Sequence, residues 1–327
     1  MLIARAPFRI SFFGGGTDYY EYYSEHGGSV ISTTIDKYCY VTLRDVAPFL
    51  PFKNQLTYSK IERFDTPDEL SHPLVRAALR RIPYDGIQIS YDADMPAYSG
   101  IGSSSAFAVA LVQGLHAMRG EYPDKLEIAK EAIYLEREMC KEAGGVQDQI
   151  ASAFGGFNRY YFGSDGFSAE PVDISPKRLN ALQSRLMLMF TGFTHFSGEV
   201  ARAQQENIAE ITPYLHEIKK ITDEAQKVFE GGNTDDIGAL LDESWALKKR
   251  FSSKVTTDEI DSIYEKAKQN GALGGKILGA GGGGFMLLFV PPEKQEGLLK
   301  AMSDFSFVSF RFENEGAKLM YGNSEEK

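Results

Sequence analysis

Three glycine-dense segments constrain what this chain of 327 residues can fold into more than any other feature. Gly14-Gly15-Gly16-Thr17-Asp18 closes a run of β-forming residues. Gly100-Ile101-Gly102 opens onto Ser103-Ser104-Ser105 and a long apolar stretch, and Gly279-Ala280-Gly281-Gly282-Gly283-Gly284 joins two apolar runs. Glycine permits turns with positive φ and close approach of backbone to a ligand, at a cost in chain entropy. Four consecutive glycines between strands that read as buried pack nothing of their own, which favours a place against a ligand-bearing loop over a plain linker. The first segment alone reads equally as a hairpin turn. The second is more telling. A helix N-terminus leaves backbone N–H groups unpaired and carries positive partial charge, so it suits a phosphate. One serine satisfies an N-cap; three after Gly-x-Gly favour a polyphosphate seat.

Spacing excludes two familiar phosphate loops. Gly271-Ala272-Leu273-Gly274-Gly275-Lys276 has one residue too few for a P-loop, and Ile277 follows where Ser or Thr is needed. Gly100-x-Gly102-x-x-Ser105 approaches the dinucleotide fingerprint. The residues after it read as two helices, with no second strand carrying a ribose-binding acid.

Residue type and period place these loops between elements. Strands are expected at Leu2–Arg5, Ile10–Phe13, Ser29–Thr34, Tyr38–Val46, Gly86–Asp92 and Phe157–Phe162, where β-branched and aromatic residues dominate. Helices are expected at Pro67–Arg81, Ser103–Met118 and Lys125–Lys141, with a shorter one after Gly145. Residues 163–176 are rich in Gly, Ser and Pro and mark a boundary between domains 1–175 and 176–327. Beyond it come a strand at Arg185–Phe190 and long helices near Ser197–Glu230 (broken near Pro213), Asp235–Arg250 and Thr257–Asn270. The chain then reads strand, glycine loop, strand, helix, strand over Ala272–Leu278, Gly284–Val290, Pro292–Ser303 and Ser306–Phe312.

Charge narrows the function classes. Asp and Glu number 45 against 35 Lys and Arg, a net charge of −10, and such a field repels a polyphosphate backbone, so a nucleic-acid role is disfavoured. The longest apolar runs, such as Phe285–Val290, are too short to span a bilayer, and the N-terminus lacks the apolar core of a signal peptide. Two cysteines far apart, Cys39 and Cys140, form no disulfide framework and suit a reducing cytosol. The expectation is an acidic, cytoplasmic protein; its oligomeric state is not legible.

Two acids stand in unusual company. In the helix Lys125–Lys141 the apolar stripe runs Ala129, Ala132, Ile133, Cys140, and Glu136 lies within it. An inward carboxylate needs a partner; a buried salt bridge and a magnesium ion serve equally well on position alone. Glu138 falls on the charged side. Asp148, after Gly144-Gly145-Val146-Gln147, falls in the first turn of a helix, where the dipole favours an anion and where acids are common for ordinary reasons.

Together these residues resemble the GHMP small-molecule kinase superfamily, which includes galactokinase, homoserine kinase and mevalonate kinase. Ala6-Pro7-Phe8-Arg9 with Gly14–Tyr19 resembles its first motif, Pro96–Ala106 its phosphate loop and Gly279–Gly284 its third motif, in the family's order and across nearly the whole chain. The resemblance implies an α+β fold of two domains: a mixed-sheet α/β N-terminal domain and a ferredoxin-like α+β C-terminal domain, with the active site in the cleft between them. It implies ATP and Mg²⁺ as cofactors. ATP phosphates are expected on Gly100, Ile101, Gly102, Ser103, Ser104 and Ser105, with Gly281, Gly282 and Gly283 completing the nucleotide site. Ser104 and Glu136 match the metal ligands, Asp148 the acid beside the acceptor hydroxyl, and Arg9 the base paired with that acid.

Gly15 and Gly16 stand where galactokinases carry Glu-His, which makes room for a larger or differently substituted acceptor. Gly16, Thr17, Asp18 and Gly145 are expected to line its site. This version, followed by Thr34-Ile35-Asp36-Lys37-Tyr38, resembles the D-glycero-D-manno-heptose 7-phosphate kinase branch. A phosphorylated acceptor needs a second anion site, for which Thr191–Ser197 with Arg202, or Lys37, are candidates; a capped helix start explains the first as well. Two other readings stay open: a kinase for an unphosphorylated sugar or mevalonate-like alcohol, and a non-catalytic sensor that keeps the fold.

Overall fold

Along β1 (Leu2–Phe13) the residues Leu2, Ala4, Ala6, Phe8, Ile10 and Phe12 are all buried, the period of two of a strand with a core face. The computed structural model describes residues 1–97, 99–193 and 197–321. After β1 the chain turns through the first glycine segment into helix α1 (Tyr20–His26) and returns antiparallel as β2 (Gly28–Asp45). Each is one long strand where the sequence suggests two runs. Irregularities in the ladder, between Pro7 and Arg9 and between Ser11 and Phe13, carry the pairing across the interruptions.

Next come β3 (Asn54–Thr57), β4 (Ile61–Phe64), α2 (Pro73–Arg81) and β5 (Ile87–Ala93). The helix expected from Pro67 begins only at Pro73, a residue preorganised for a first turn; Pro67–Glu69 forms a separate 3₁₀ turn. The phosphate-loop candidate follows β5 and leads into α3 (Ser103–Met118), which is buried on most of its circumference. Then come α4 (Lys125–Ile133), α5 (Gln147–Phe154), β6 (Phe157–Gly163) and β7 (Gly166–Pro171). The last is a hairpin strand on β6 within the stretch expected to mark the domain boundary.

Helix α6 (Pro176–Gln183) precedes a second, four-stranded sheet made of β8 (Leu186–Phe190), β9 (Gly274–Ile277), β10 (Phe285–Phe289) and β11 (Ser306–Val308). Four helices separate β8 from β9: α7 (Ser197–Glu206), α8 (Ile208–Glu230), α9 (Asp236–Lys248) and α10 (Asp258–Gln269). Helix α11 (Pro292–Ala301) joins β10 to β11. The strand order is β11-β8-β10-β9, all antiparallel, which is the ferredoxin-like arrangement. The break expected at Pro213 falls instead at Asn207, and α8 runs through Pro213 near its start. The final strand expected at Ser306–Phe312 is divided. Its first part closes the second sheet, while β12 (Phe312–Glu313) and β13 (Lys318–Tyr321) pair with β2 and β1 of the first.

Two apolar cores result, and β10 serves both. Phe285, Leu287 and Phe289 pack into the first, Met286 and Leu288 into the second, with Val290 just past the strand. A strand covered on both faces has no polar face, which accounts for the unbroken apolar run at its position. Among the described residues no helix is long and apolar enough to cross a membrane. Cys39 and Cys140 are free thiols.

Candidate active site

A cavity of about 980 Å³ lies between the two sheets, and the first two glycine segments and the start of the third open onto it. Among the described residues, eight lysines and arginines line it against six acids, in a chain whose net charge is −10. The local balance is thus the reverse of the global one.

The helix start at α3 is open. Gly102 is its N-cap, in the left-handed conformation, and no side chain caps it. The three serines therefore do not cap this helix, and Ser103, Ser104 and Ser105 line the cavity. The loop before them is held from two directions. Arg9 N–H donates to the Ile101 carbonyl (3.1 Å) and Arg9 Nη1 to that of Gly100 (2.7 Å). From the other side the third glycine segment presses on it. A Cβ on Gly100 would lie 2.5 Å from the Leu278 carbonyl oxygen, and one on Gly279 would lie 2.7 Å from Gly100 Cα. Real side chains do not occupy such spaces, so both glycines are set by backbone contact.

Glu136 is 1% exposed. It sits in a π turn, Tyr134–Met139, that continues α4, a distortion frequent at functional sites. One carboxylate oxygen accepts from Ser104 Oγ (2.8 Å), the other from Ser105 Oγ (2.8 Å) and the Gln149 amide. The salt-bridge reading is contradicted: among the described residues no cation pairs with Glu136. A buried anion surrounded by hydroxyls on a cavity wall suits a hard divalent cation such as Mg²⁺. Neighbouring Glu142 has its pKa pushed up to about 7, by burial first and by the Glu136 charge second.

Asp148 lies in the first turn of α5. Arg9 holds it with a fork, Nε to Oδ1 at 2.7 Å and Nη2 to Oδ2 at 2.8 Å. This bidentate geometry is what distinguishes arginine from lysine. Asp18 is 2% exposed; it accepts from Gly16 N (3.0 Å) and Gln147 N (3.2 Å). Burial raises its pKa, and the nearby Asp148 charge adds to the rise. A Cβ on Gly145 would fall 1.8 Å from Asp18 Oδ2, so glycine there lets the acid reach its place.

The chain matches the model of the GHMP kinases N terminal domain over residues 72–156 and that of the GHMP kinases C terminal domain over residues 203–306. A D-glycero-alpha-D-manno-heptose 7-phosphate kinase of Campylobacter jejuni is 32% identical over 96% of this chain and 97% of its own length. The chain belongs to the GHMP kinase family. A mevalonate kinase of Thermococcus sibiricus is 25% identical over 90% of this chain and 91% of its own. A crystal structure of a D-glycero-D-manno-heptose 1-phosphate kinase from Bacteriodes thetaiotaomicron superposes with a TM-score of 0.80 at 23% identity, covering 98% of this chain and 99% of that one. As a GHMP kinase, the protein is an ATP-dependent small-molecule phosphotransferase with the two-domain α+β fold of its family.

Not every residue expected in the site reaches it. Ile101 is fully buried and contributes only its carbonyl, to Arg9. Gly281, Gly282 and Gly283 are absent from the cavity wall; Gly281 and Gly282 pack on Val255 and Gly283 on Phe193. It is Gly279 and Gly284 that touch the phosphate loop, at Gly100 and Ser99. Thr17 is fully buried and closes its own turn, its hydroxyl donating to the Gly14 carbonyl (2.8 Å) and accepting from the Ser29 N–H (3.1 Å). Lys37 does not line the cavity and faces Asp36. Of the other anion-site candidates, Thr191 is committed to the Gly284 carbonyl and Thr194, His195 and Phe196 lie outside the described residues, as does Tyr98 of the second motif. Arg202, Gly16 and Gly145 do line the cavity.

Sequence reasoning missed other wall residues. Gln204 accepts from the Tyr19 hydroxyl (2.9 Å) and donates to the Ala280 carbonyl (2.7 Å), tying the first segment to the third. Arg137 grips the Gly145 carbonyl through Nε (3.1 Å) and Nη2 (2.8 Å). Tyr58, His72, Tyr91 and Phe107 form an aromatic end of the cavity, with edge-to-face contacts between 4.7 and 5.5 Å. Lys248 and Lys276 are buried and reach the wall from the second domain. A lysine within Gly274-Gly275-Lys276-Ile277, a buried strand, was the available signal.

Proposed function

We propose that the protein transfers the γ-phosphoryl of ATP to the anomeric O1 of a sugar phosphate, D-glycero-D-manno-heptose 7-phosphate. The observation that carries the reading is the Arg9 fork, which fixes Asp148 beside the open start of α3 and binds the phosphate loop with its third N–H. Phosphoryl transfer needs positioning and charge neutralisation more than covalent chemistry. The amides of 103–105 and the hydroxyl of Ser103 cradle the β- and γ-phosphates, and the aromatic end beside His72 takes the adenine. Ser104 and Glu136 would hold Mg²⁺, which would supply neutralising charge to the phosphates there. Asp148 aligns the acceptor hydroxyl and receives its proton, and an anomeric hydroxyl, more acidic than an ordinary alcohol, eases that transfer. Asp18 and Gln147 border the acceptor, with space left by Gly15, where a Cβ would meet nothing closer than 3.9 Å; Gly16 leaves none, because a Cβ there would lie 2.9 Å from Leu215 and Phe251. Residues 1–175 and 176–327 form the two domains around this cleft, with the last strands returned to the first, and the cytoplasm is the compartment.

The acceptor rests on the name of the Campylobacter relative and on the room beside Gly15. ADP release across a panel of heptose 7-phosphate, free heptose, galactose, fucose and mevalonate tests it. Heptose 7-phosphate is expected to give the highest kcat/KM. Preference for a free sugar or for mevalonate would replace the acceptor, and no ADP release with any would favour a sensor.

A further inference from the structure

Lys248 belongs to no motif of the sequence, Lys276 closes the segment excluded above as a P-loop, and the mechanism above uses neither. Lys276, 4% exposed, sits on β9 and donates from Nζ to the Phe12 carbonyl across the domain seam (3.0 Å). Lys248, 7% exposed, sits in the last turn of α9 and donates to the carbonyls of Gly279 and Ile277. Both line the cavity. Neither forms a salt bridge with any described residue. An ammonium group carries three donors, so Lys276 holds two that the Phe12 carbonyl does not use.

A buried charge without a counter-ion is expensive, and chains retain one where a ligand supplies the opposite charge. The neighbourhood makes the cost plain. Burial lowers the pKa of Lys248 to about 7, with Arg9 adding to the fall. Burial, then Lys248 and Arg9, lower that of Lys276 well below its ordinary value. A second incomplete group lies on the same wall: Ser11, next to the Phe12 carbonyl, has a buried hydroxyl with no hydrogen-bond partner among the described residues.

We infer that Lys248 and Lys276 form a buried anion subsite, reached from the second domain, that receives a phosphate group of a bound substrate. It rests on the kinase reading above and adds a contact from the second domain. The chemistry is that of a phosphate oxyanion, and two sources present it: the γ-phosphoryl of ATP and the phosphate carried by the acceptor. Arriving there, the anion accepts hydrogen bonds from the two ammonium groups and draws the two domains together over the cleft.

The test uses the full chain with Lys276→Met and Lys248→Met, each shown to be folded by circular dichroism. Calorimetry gives Kd for ATP and for AMP; steady-state kinetics give kcat/KM for heptose 7-phosphate and for free heptose. A loss of at least about tenfold in ATP affinity, with AMP affinity retained, assigns the subsite to the nucleotide. A similar loss confined to heptose 7-phosphate assigns it to the acceptor. Unchanged values, or equal losses for all four ligands, would overturn the inference in favour of a structural strut. Where a methionine variant fails to fold, Lys276→Gln or Lys248→Gln removes the charge, keeps a donor for the carbonyl, and is read the same way. The nucleotide arm needs no turnover, so a wild-type enzyme inactive on every sugar would sink the acceptor assignment and still leave the subsite tested.

Discussion

Arg9 and Asp148 are joined by two hydrogen bonds, 2.7 and 2.8 Å long, while the remaining guanidinium edge holds the Gly100 carbonyl at 2.7 Å. One side chain thus sets the distance between the acid and the phosphate loop. Arg9→Lys keeps the charge and loses the fork. A fall of roughly two orders of magnitude in kcat/KM is expected, a size usual for loss of one preorganised donor. Steady-state ADP release checks it, and a loss below about threefold would show that charge alone suffices.

Glu136 has no cationic partner among the described residues and shares its two oxygens with Ser104, Ser105 and Gln149. Glu136→Gln is nearly isosteric, so the fold is expected to persist while the Mg²⁺ concentration for half-maximal activity rises steeply, by about tenfold or more. A magnesium titration of both proteins reads the change.

Gly145 abuts Asp18, and any Cβ there meets the carboxylate at 1.8 Å. Gly145→Ala displaces the acid at the acceptor end while leaving the helix start at Ser103 untouched. The acceptor KM is expected to rise by about tenfold, with the ATP KM within a factor of two, because a small misplacement at a positioned group is costly. Equal effects on both substrates would indicate a general disturbance of the loop.

The buried lysines make stability depend on pH. Lys248 has an ordinary value of 10.5 and titrates near 7 in the fold, so between those values the unfolded chain binds a proton that the native chain has shed. Stability therefore rises with pH across that window. Burial first and then Arg9 oppose the charged form of Lys248, while Asp18 and Asp148 favour it. Above about pH 9 the buried thiols of Cys39 and Cys140, both raised from their ordinary 9.0, act in the opposite sense, so urea unfolding of the ligand-free protein from about pH 7 to about pH 8.5 is expected to show this rise, and Lys248→Met to flatten it.

Much of the fold was legible because period and loop chemistry agreed. α3 begins at Ser103 and ends at Met118, as the apolar stretch implies, and β9, β10 and α11 fall where the ending of the chain places them. The π turn at Glu136 was hidden, because the periodicity of an ordinary helix already points this residue inward. The return of β12 and β13 to the first sheet is a long-range pairing that no local pattern encodes. In the site, Ser104 and Asp148 were legible as first-turn residues of helices and Glu136 as an acid in an apolar stripe, whereas Arg9, inside β1, carried no local signal beyond the family motif. Ile101, Gly281–Gly283 and Thr17 were read by position in a motif, and backbone packing claims them instead. Lys248 and Gln204 gave no signal, since their helices carry many polar residues and only tertiary packing selects which face the cavity.

Asp148→Asn, assayed for ADP release with heptose 7-phosphate at saturating ATP and Mg²⁺, probes the account where it is most exposed. The substitution preserves shape and removes the proton acceptor, so kcat is expected to fall by about three orders of magnitude while the Kd for ATP, measured by calorimetry, stays within twofold. Turnover close to that of the wild type would contradict the central role given to Asp148.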